Sequence, residues 1–254
     1  MKAHFSLLFG SLACVSANAA LLADFDGNDS AYELGFFRFN PAGTSALQVT
    51  DGYLHLLDGA NGDHGNYISF AATGTAGWQT ASFSMDVRAS AVQADGFSVG
   101  FLDTATHGTS GAVRVGSGVY ADVEERGQYT NSIGVGFRTF NGTNATVNYD
   151  GAESGDVAYQ LPQDQWVPIV IDMTKNGDGT VSLSASSNGV TVFDNYSLAG
   201  GPDDFRVQIG GRTGGSAMSL DIDNVNLTTS SIPEPTSTLL SALGVLALAA
   251  RRKR

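Results

Sequence analysis

The chain has 254 residues, with 13 Lys plus Arg against 25 Asp plus Glu and a formal net charge of −12. A surface this acidic repels phosphate backbones and excludes nucleic acid as a partner. Cys14 is the only cysteine, which excludes internal disulfide staples and leaves stability to a hydrophobic core. At the N-terminus, Met1-Lys2 precedes an apolar stretch from Phe5 to Val15 and the small-x-small sequence Ala17-Asn18-Ala19. This is the pattern of a cleaved secretory signal over residues 1–19, its apolar stretch helical. Cleavage there would also remove Cys14.

Residues 20–228 follow as one body of ordinary size for an all-β domain, roughly 210 residues. Setting aside Lys2, Glu234 and the four terminal cations leaves eight Lys plus Arg against 24 Asp plus Glu. Only Glu33, Glu124, Glu125 and Glu153 are glutamates there; the rest are aspartates, which favour turns and hard cations. No stretch of the body keeps a helical apolar period, whereas alternation of period two recurs. Strands are predicted at 46–50 and 53–57, joined by the two-residue turn Asp51-Gly52. Others follow at 66–72, 79–88, 96–102 and 132–140, then at 166–173, 180–186, 190–196, 205–210 and 218–228. In the last of these Met218, Leu220 and Ile222 share one parity, while Val225 and Leu227 take the other. A regular strand cannot change phase, so a bulge is predicted near Asp223-Asn224. About a dozen short strands with Gly, Asp and Asn punctuation and no helices describe a sandwich or a barrel. Thr228–Ser231 reads as a flexible stalk.

The tail, residues 229–254, combines linker and address. Pro233-Glu234-Pro235 precedes an apolar run from Leu239 to Ala250 and the cluster Arg251-Arg252-Lys253-Arg254. That run falls short of the roughly twenty residues a helix needs to cross a bilayer, and the cations hold its end on the cytoplasmic side. Together these parts resemble the PEP-CTERM sorting signal of Gram-negative bacteria. The resemblance implies export through the Sec machinery, transient membrane association through the C-terminal helix, processing by an exosortase, and a final place at the cell surface or in the extracellular matrix.

Within the body, four segments carry a second resemblance: Ala94–Phe101, Ser132–Asn141, Trp166–Asp172 and Phe205–Gly215. In order and spacing they are similar to the L-type lectin-like branch of the concanavalin A-like lectin/glucanase superfamily. This implies a jelly-roll sandwich of two antiparallel sheets, with carbohydrate bound in loops at the edge of the concave sheet. By the same resemblance Asp95, with Gly96, matches the aspartate that accepts hydrogen bonds from sugar hydroxyls. Gly211, Arg212 and Gly214 match the glycine-containing loop beside that site, and Asn141 matches an asparagine serving metal and sugar. Read without the resemblance, Asp95-Gly96 and the Gly210–Gly215 segment are plain turns. Gly136 and Arg138 stand where those lectins carry metal-binding acids, so their paired metal site is not expected.

A separate calcium possibility lies with Asp24, Asp26 and Asp223, because the first and last strands of jelly rolls often lie side by side and crowded carboxylates attract an ion. Catalysis lacks its residues: no pair of glutamates with the spacing of glucanases occurs, and Glu124 and Glu125 would point to opposite faces of a strand. Trp166, at a strand start, is expected in the core. The function expected is non-catalytic binding of exopolysaccharide. The alternatives are a structural matrix or biofilm protein without a ligand site and, further off, a glycoside hydrolase-like enzyme.

Overall fold

Alternating sequence becomes strand wherever an apolar face finds something to cover, and here it does so throughout. The computed structural model describes residues 16–27, 29–38, 47–59, 64–72, 75–90, 95–113, 124–140 and 143–231. The apolar part of the signal with Cys14, Asn141, and the tail from residue 232 with its Pro233–Pro235 and Arg251–Arg254 motifs lie outside the described residues. The strands run β1 Ser16–Ala23, β2 Tyr32–Arg38, β3 Gln48–Thr50, β4 Tyr53–Asp58, β5 His64–Phe70, β6 Trp78–Ser90 and β7 Gly96–Asp103. A one-turn helix, α1 Thr104–His107, is capped by the Asp103 carboxylate, which accepts from the Thr106 N–H. Then come β8 Ile133–Arg138, β9 Asn144–Tyr149, β10 Ala152–Ala158 and β11 Trp166–Lys175. The chain closes with β12 Val181–Ser187, β13 Val190–Leu198, β14 Phe205–Thr213 and β15 Ser219–Ser231.

Two antiparallel sheets result. Sheet A is ordered β13-β12-β11-β6-β15-β4-β3, with β1 added beside β15; sheet B is ordered β10-β9-β8-β7-β14-β5-β2. Their apolar faces meet in one core. Trp78, Phe205, Phe101 and Phe83 form an edge-to-face chain through it, with centroids 5.5, 5.5 and 5.8 Å apart. The fold is the expected jelly roll.

Three local expectations are decided by the register. Asp51 and Gly52 form the β3–β4 turn with φ of 57° and 78°, the left-handed pair a two-residue hairpin requires. The β15 bulge is present: its pairing with β6 shifts between Asp223 and Asn226, and Asn224 takes a φ of 51°. The stalk is a correction. Thr228–Ser231 belong to β15, with β6 on one side and Ser16–Ala19 of β1 on the other. Thr228-Thr229-Ser230-Ser231 suit a strand with neighbours on both sides as well as they suit a linker. Four strands escaped the sequence reading: β1, whose Ser16–Ala19 were read as the end of the signal, and β2, β9 and β10. Strand β10 has no buried residue, so period two has nothing to mark in it.

Sheet B has a second covered face. Residues 108–113 and 124–132 lie across it, and Tyr67, Leu102 and Tyr129 form a small apolar cluster there. Strand β14 lays a polar row beneath them. Fully buried Arg206 donates to the Gly108 carbonyl (2.9 Å), the His107 carbonyl (3.2 Å) and Ser69 Oγ. Gln208 accepts from the Val113 N–H (3.0 Å) and donates to the Val113 carbonyl (3.2 Å) and Tyr129 Oη (3.2 Å). Burial leaves the Tyr129 phenol harder to ionise than usual. The next outward residue of that row is Gly210, and after it Arg212, where the candidate site begins.

Candidate functional site

Three strands of sheet B end together. Gly96, at the start of β7, stands opposite Arg138 of β8 and Arg212 of β14. Its φ of +141° and the Arg138 Cα, 3.0 Å from where a Cβ would sit, leave room only for glycine. Asp95 precedes it, 8% exposed, its carbonyl accepting from the Thr139 N–H at 3.0 Å. Gly214 comes back over the Asp95 side chain; a Cβ there would lie 3.0 Å from the Asp95 Cγ. Asp95, Gly96, Arg212 and Gly214, singled out separately in sequence, therefore meet at one place. Gly211 does not share their face. It sits inside β14 between ladder partners Asn66 and Phe97, its hydrogen side against Leu56 and Leu57, so it serves packing rather than the loop. Asn141, two residues past Thr139, lies outside the described residues.

Two acids not expected here join them. Arg212 Nη1 is 3.3 Å from Asp95 Oδ2, pairs with Glu125 Oε1, and its Nε is 3.8 Å from Glu124 Oε2. Glu124 and Glu125 are 1% and 5% exposed. Glu124 is helical and Glu125 lies in the turn after it, not in a strand, so both can face one cation. The turn lies directly on β8. A Cβ at Gly134 would be 2.7 Å from the Gly127 carbonyl carbon, and one at Gly136 would be 2.6 Å from the Arg126 Cα. The sequence signal was available in two of the body's four glutamates side by side and in glycines at alternate positions of an apolar strand. Burial raises the Glu125 carboxyl above the usual range and Asp95 adds to this; Arg212 and Arg138 oppose it. Phe140, which follows at the same end, was also missed. It is 46% exposed and directly follows Thr139, whose N–H binds the Asp95 carbonyl.

The calcium expectation meets a different geometry. Strands β1 and β15 do pair, and Asp24, Asp26 and Asp86 all raise the Asp223 carboxyl, after desolvation as the first cause. Yet no group of three or more acids able to hold a metal occurs among the described residues. Turn hydrogen bonds occupy the carboxylates instead. Asp29 Oδ1 accepts from the Asp24 and Phe25 N–H groups at 3.0 Å, Asp24 Oδ1 from the Asp26 N–H at 3.1 Å, and Asp223 Oδ1 from the Asn224 N–H at 2.7 Å. Asp86 and Asp223 face each other across strands. Asp223→Asn is therefore expected to stabilise the protein at pH 7, by about 0.2–1 kcal/mol given solvent screening. Urea unfolding with and without chelator checks this: a destabilised variant together with a chelator-sensitive parent would restore the calcium reading.

Residues 231–254 match the PEP-CTERM protein-sorting motif. No curated protein matches the chain by sequence. Among solved structures, lectin II from Ulex europaeus superposes with a TM-score of 0.57 at 11% identity, covering 85% of this chain and 98% of that one. A lectin from Bauhinia forficata in complex with GalNAc gives 0.56 at 11%, covering 86% and 100%. The exoplasmic/lumenal domain of VIP36 in its Ca2+/Man3GlcNAc-bound form gives 0.56 at 12%, covering 86% and 90%. The chain thus has the concanavalin A-like fold of the legume lectins.

Proposed function

We propose that the chain is an exported, non-catalytic carbohydrate-binding protein whose ligand is an exopolysaccharide. The Sec machinery exports it after cleavage of residues 1–19, which takes Ser16–Ala19 off β1 and leaves Thr228–Ser231 paired with β6. The C-terminal helix holds it briefly in the inner membrane of a Gram-negative cell, and an exosortase reads Pro233-Glu234-Pro235 before the protein reaches the surface or matrix. The observation that carries the binding reading is the meeting of Asp95 with the Gly214 turn, where the chain next to Thr139 continues into exposed Phe140. A fixed carboxylate suits a sugar, which presents vicinal hydroxyl donors. Arg212 Nη1, 3.3 Å from Asp95 Oδ2, fixes the side chain, so little freedom is lost on binding. Lectin names among the structural neighbours support the class of ligand. On a glycan array that includes the native matrix polysaccharide, the parent protein is expected to bind and Asp95→Ala to lose at least about tenfold in affinity, equivalent to 1.4 kcal/mol. Absence of binding to every glycan would sink the proposal.

One observation favours a second reading, a structural matrix protein. Asp95 is nearly buried and already paired with Arg212. In that case deletion of the protein weakens biofilm cohesion while Asp95→Ala leaves it unchanged.

A further inference from the structure

The outer face of sheet A carries a row of side chains with no part in the Asp95 site. The register aligns Trp166 of β11, Arg88 of β6, Asp221 of β15 and His55 of β4, with Gln48 of β3 next. Asp221 accepts from Arg88 Nε at 2.9 Å and Nη2 at 2.7 Å. It also lies 2.6 Å from His55 Nδ1, so that ring nitrogen carries the proton. The guanidinium sits 4.8 Å from the Trp166 ring centre and 4.9 Å from that of Tyr53. Tyr53 and Trp166 meet edge to face at 5.6 Å. Trp166, expected in the core, is 38% exposed.

Most residues around this cluster on the same face are small and polar. Ser90 and Ser219 share a hydrogen bond of 2.7 Å on one side, and Asn224 donates to Asp86 at 2.9 Å on the other. A large ring left in solvent among hydroxyls and carboxylates, and clamped by a two-bond arginine–carboxylate fork, is held as a rigid platform. The fork cancels its own charge, and the acidic chain repels polyanions. The occupant that fits is therefore neutral, with an apolar face to lie on the ring and hydroxyls at its edge to reach the polar rim.

We propose that Trp166, Tyr53 and Arg88 form a second carbohydrate platform, one that stacks a neutral pyranose ring on the sheet opposite the Asp95 site. Two sites on opposite faces would let one molecule bridge two polysaccharide strands, which gains avidity without new contacts.

The two tryptophans make the test selective. Trp78 is 1% exposed, so acrylamide quenching of fluorescence in the full chain reports Trp166. Soluble hexasaccharides of β-1,4-linked glucose, mannose and xylose serve as probes. At least one is expected to lower the quenching constant about twofold or more, and Asp95→Ala is expected to keep that protection, which separates this platform from the other site. Trp166→Ala, with its fold verified from the Trp78 emission, is expected to lose about tenfold in calorimetric affinity for the protecting sugar. Protection by none of the three, or undiminished affinity in Trp166→Ala, overturns the proposal. So does concentration-dependent shielding of Trp166 without sugar, which would give this face to a second copy of the chain.

Discussion

Replacing Arg212 by methionine is expected to lower the unfolding free energy at pH 7 by about 3–5 kcal/mol, the cost of removing one partner from a buried ion pair. Asp95, Glu124 and Glu125 all lie near this guanidinium, and all three are buried. Methionine keeps most of the volume but leaves the carboxylates facing one another. The pH dependence separates charge from packing. The Glu125 carboxyl is already raised in the folded protein, so folding binds its proton more tightly than the unfolded chain does. Its contribution to stability is present below the unfolded value of about 4.3 and is lost as pH rises through the raised folded value. Without Arg212 the opposing influence disappears and that window widens upward. The deficit of the variant should therefore be largest at neutral pH and shrink as pH falls toward about 4. Urea denaturation across this range reads it directly. A deficit independent of pH would mean that the arginine is held for its bulk.

Gly134→Ala is expected to cost about 1–3 kcal/mol, the range for overpacking a close-packed site, and to sit at the top of it. The atoms a methyl group would meet are the backbone of Gly127, with Gly127 Cα 2.9 Å from the added carbon. Backbone cannot swing aside as a flexible side chain can. The variant should relieve the clash by lifting the Glu124–Gly127 turn, which carries both glutamates away from Arg212. Hydrogen exchange at 124–129 should accelerate along with the fall in urea midpoint. Parental stability with unchanged exchange would mean that the turn does not rest on β8.

Much of this architecture could be read from the chain because half-buried strands write their pattern in period two. The β15 phase change at Asp223-Asn224 located a bulge to the residue, since only a bulge can move Val225 and Leu227 to the face that Leu220 and Ile222 occupy. The pattern fails where burial does not alternate. Strand β10 is exposed along its length, while β7 is buried on both faces because residues 108–113 and 124–132 cover its second side. The candidate site was half legible. Asp95 and the Gly214 turn could be named because their spacing resembles a known arrangement, and the register brings them together. Glu124 and Glu125 were set aside on the assumption of a strand; where a helical residue passes into a turn, adjacent side chains can converge on one cation. Trp166 was misplaced for the opposite reason. Aromatic residues at strand starts are usually core, and nothing local in the sequence reveals the Arg88–Asp221 fork that holds this one in solvent.

Carbohydrate is proposed to bind where Asp95 and the Gly214 turn meet. Amide hydrogen exchange of the full chain, with and without the matrix polysaccharide of its own cell, tests this most directly. Exchange is expected to slow at Thr139, Phe140, Gly214 and Gly215, with no such slowing for the same segments in Asp95→Ala. Binding of the polysaccharide that leaves all four amides unprotected would contradict it.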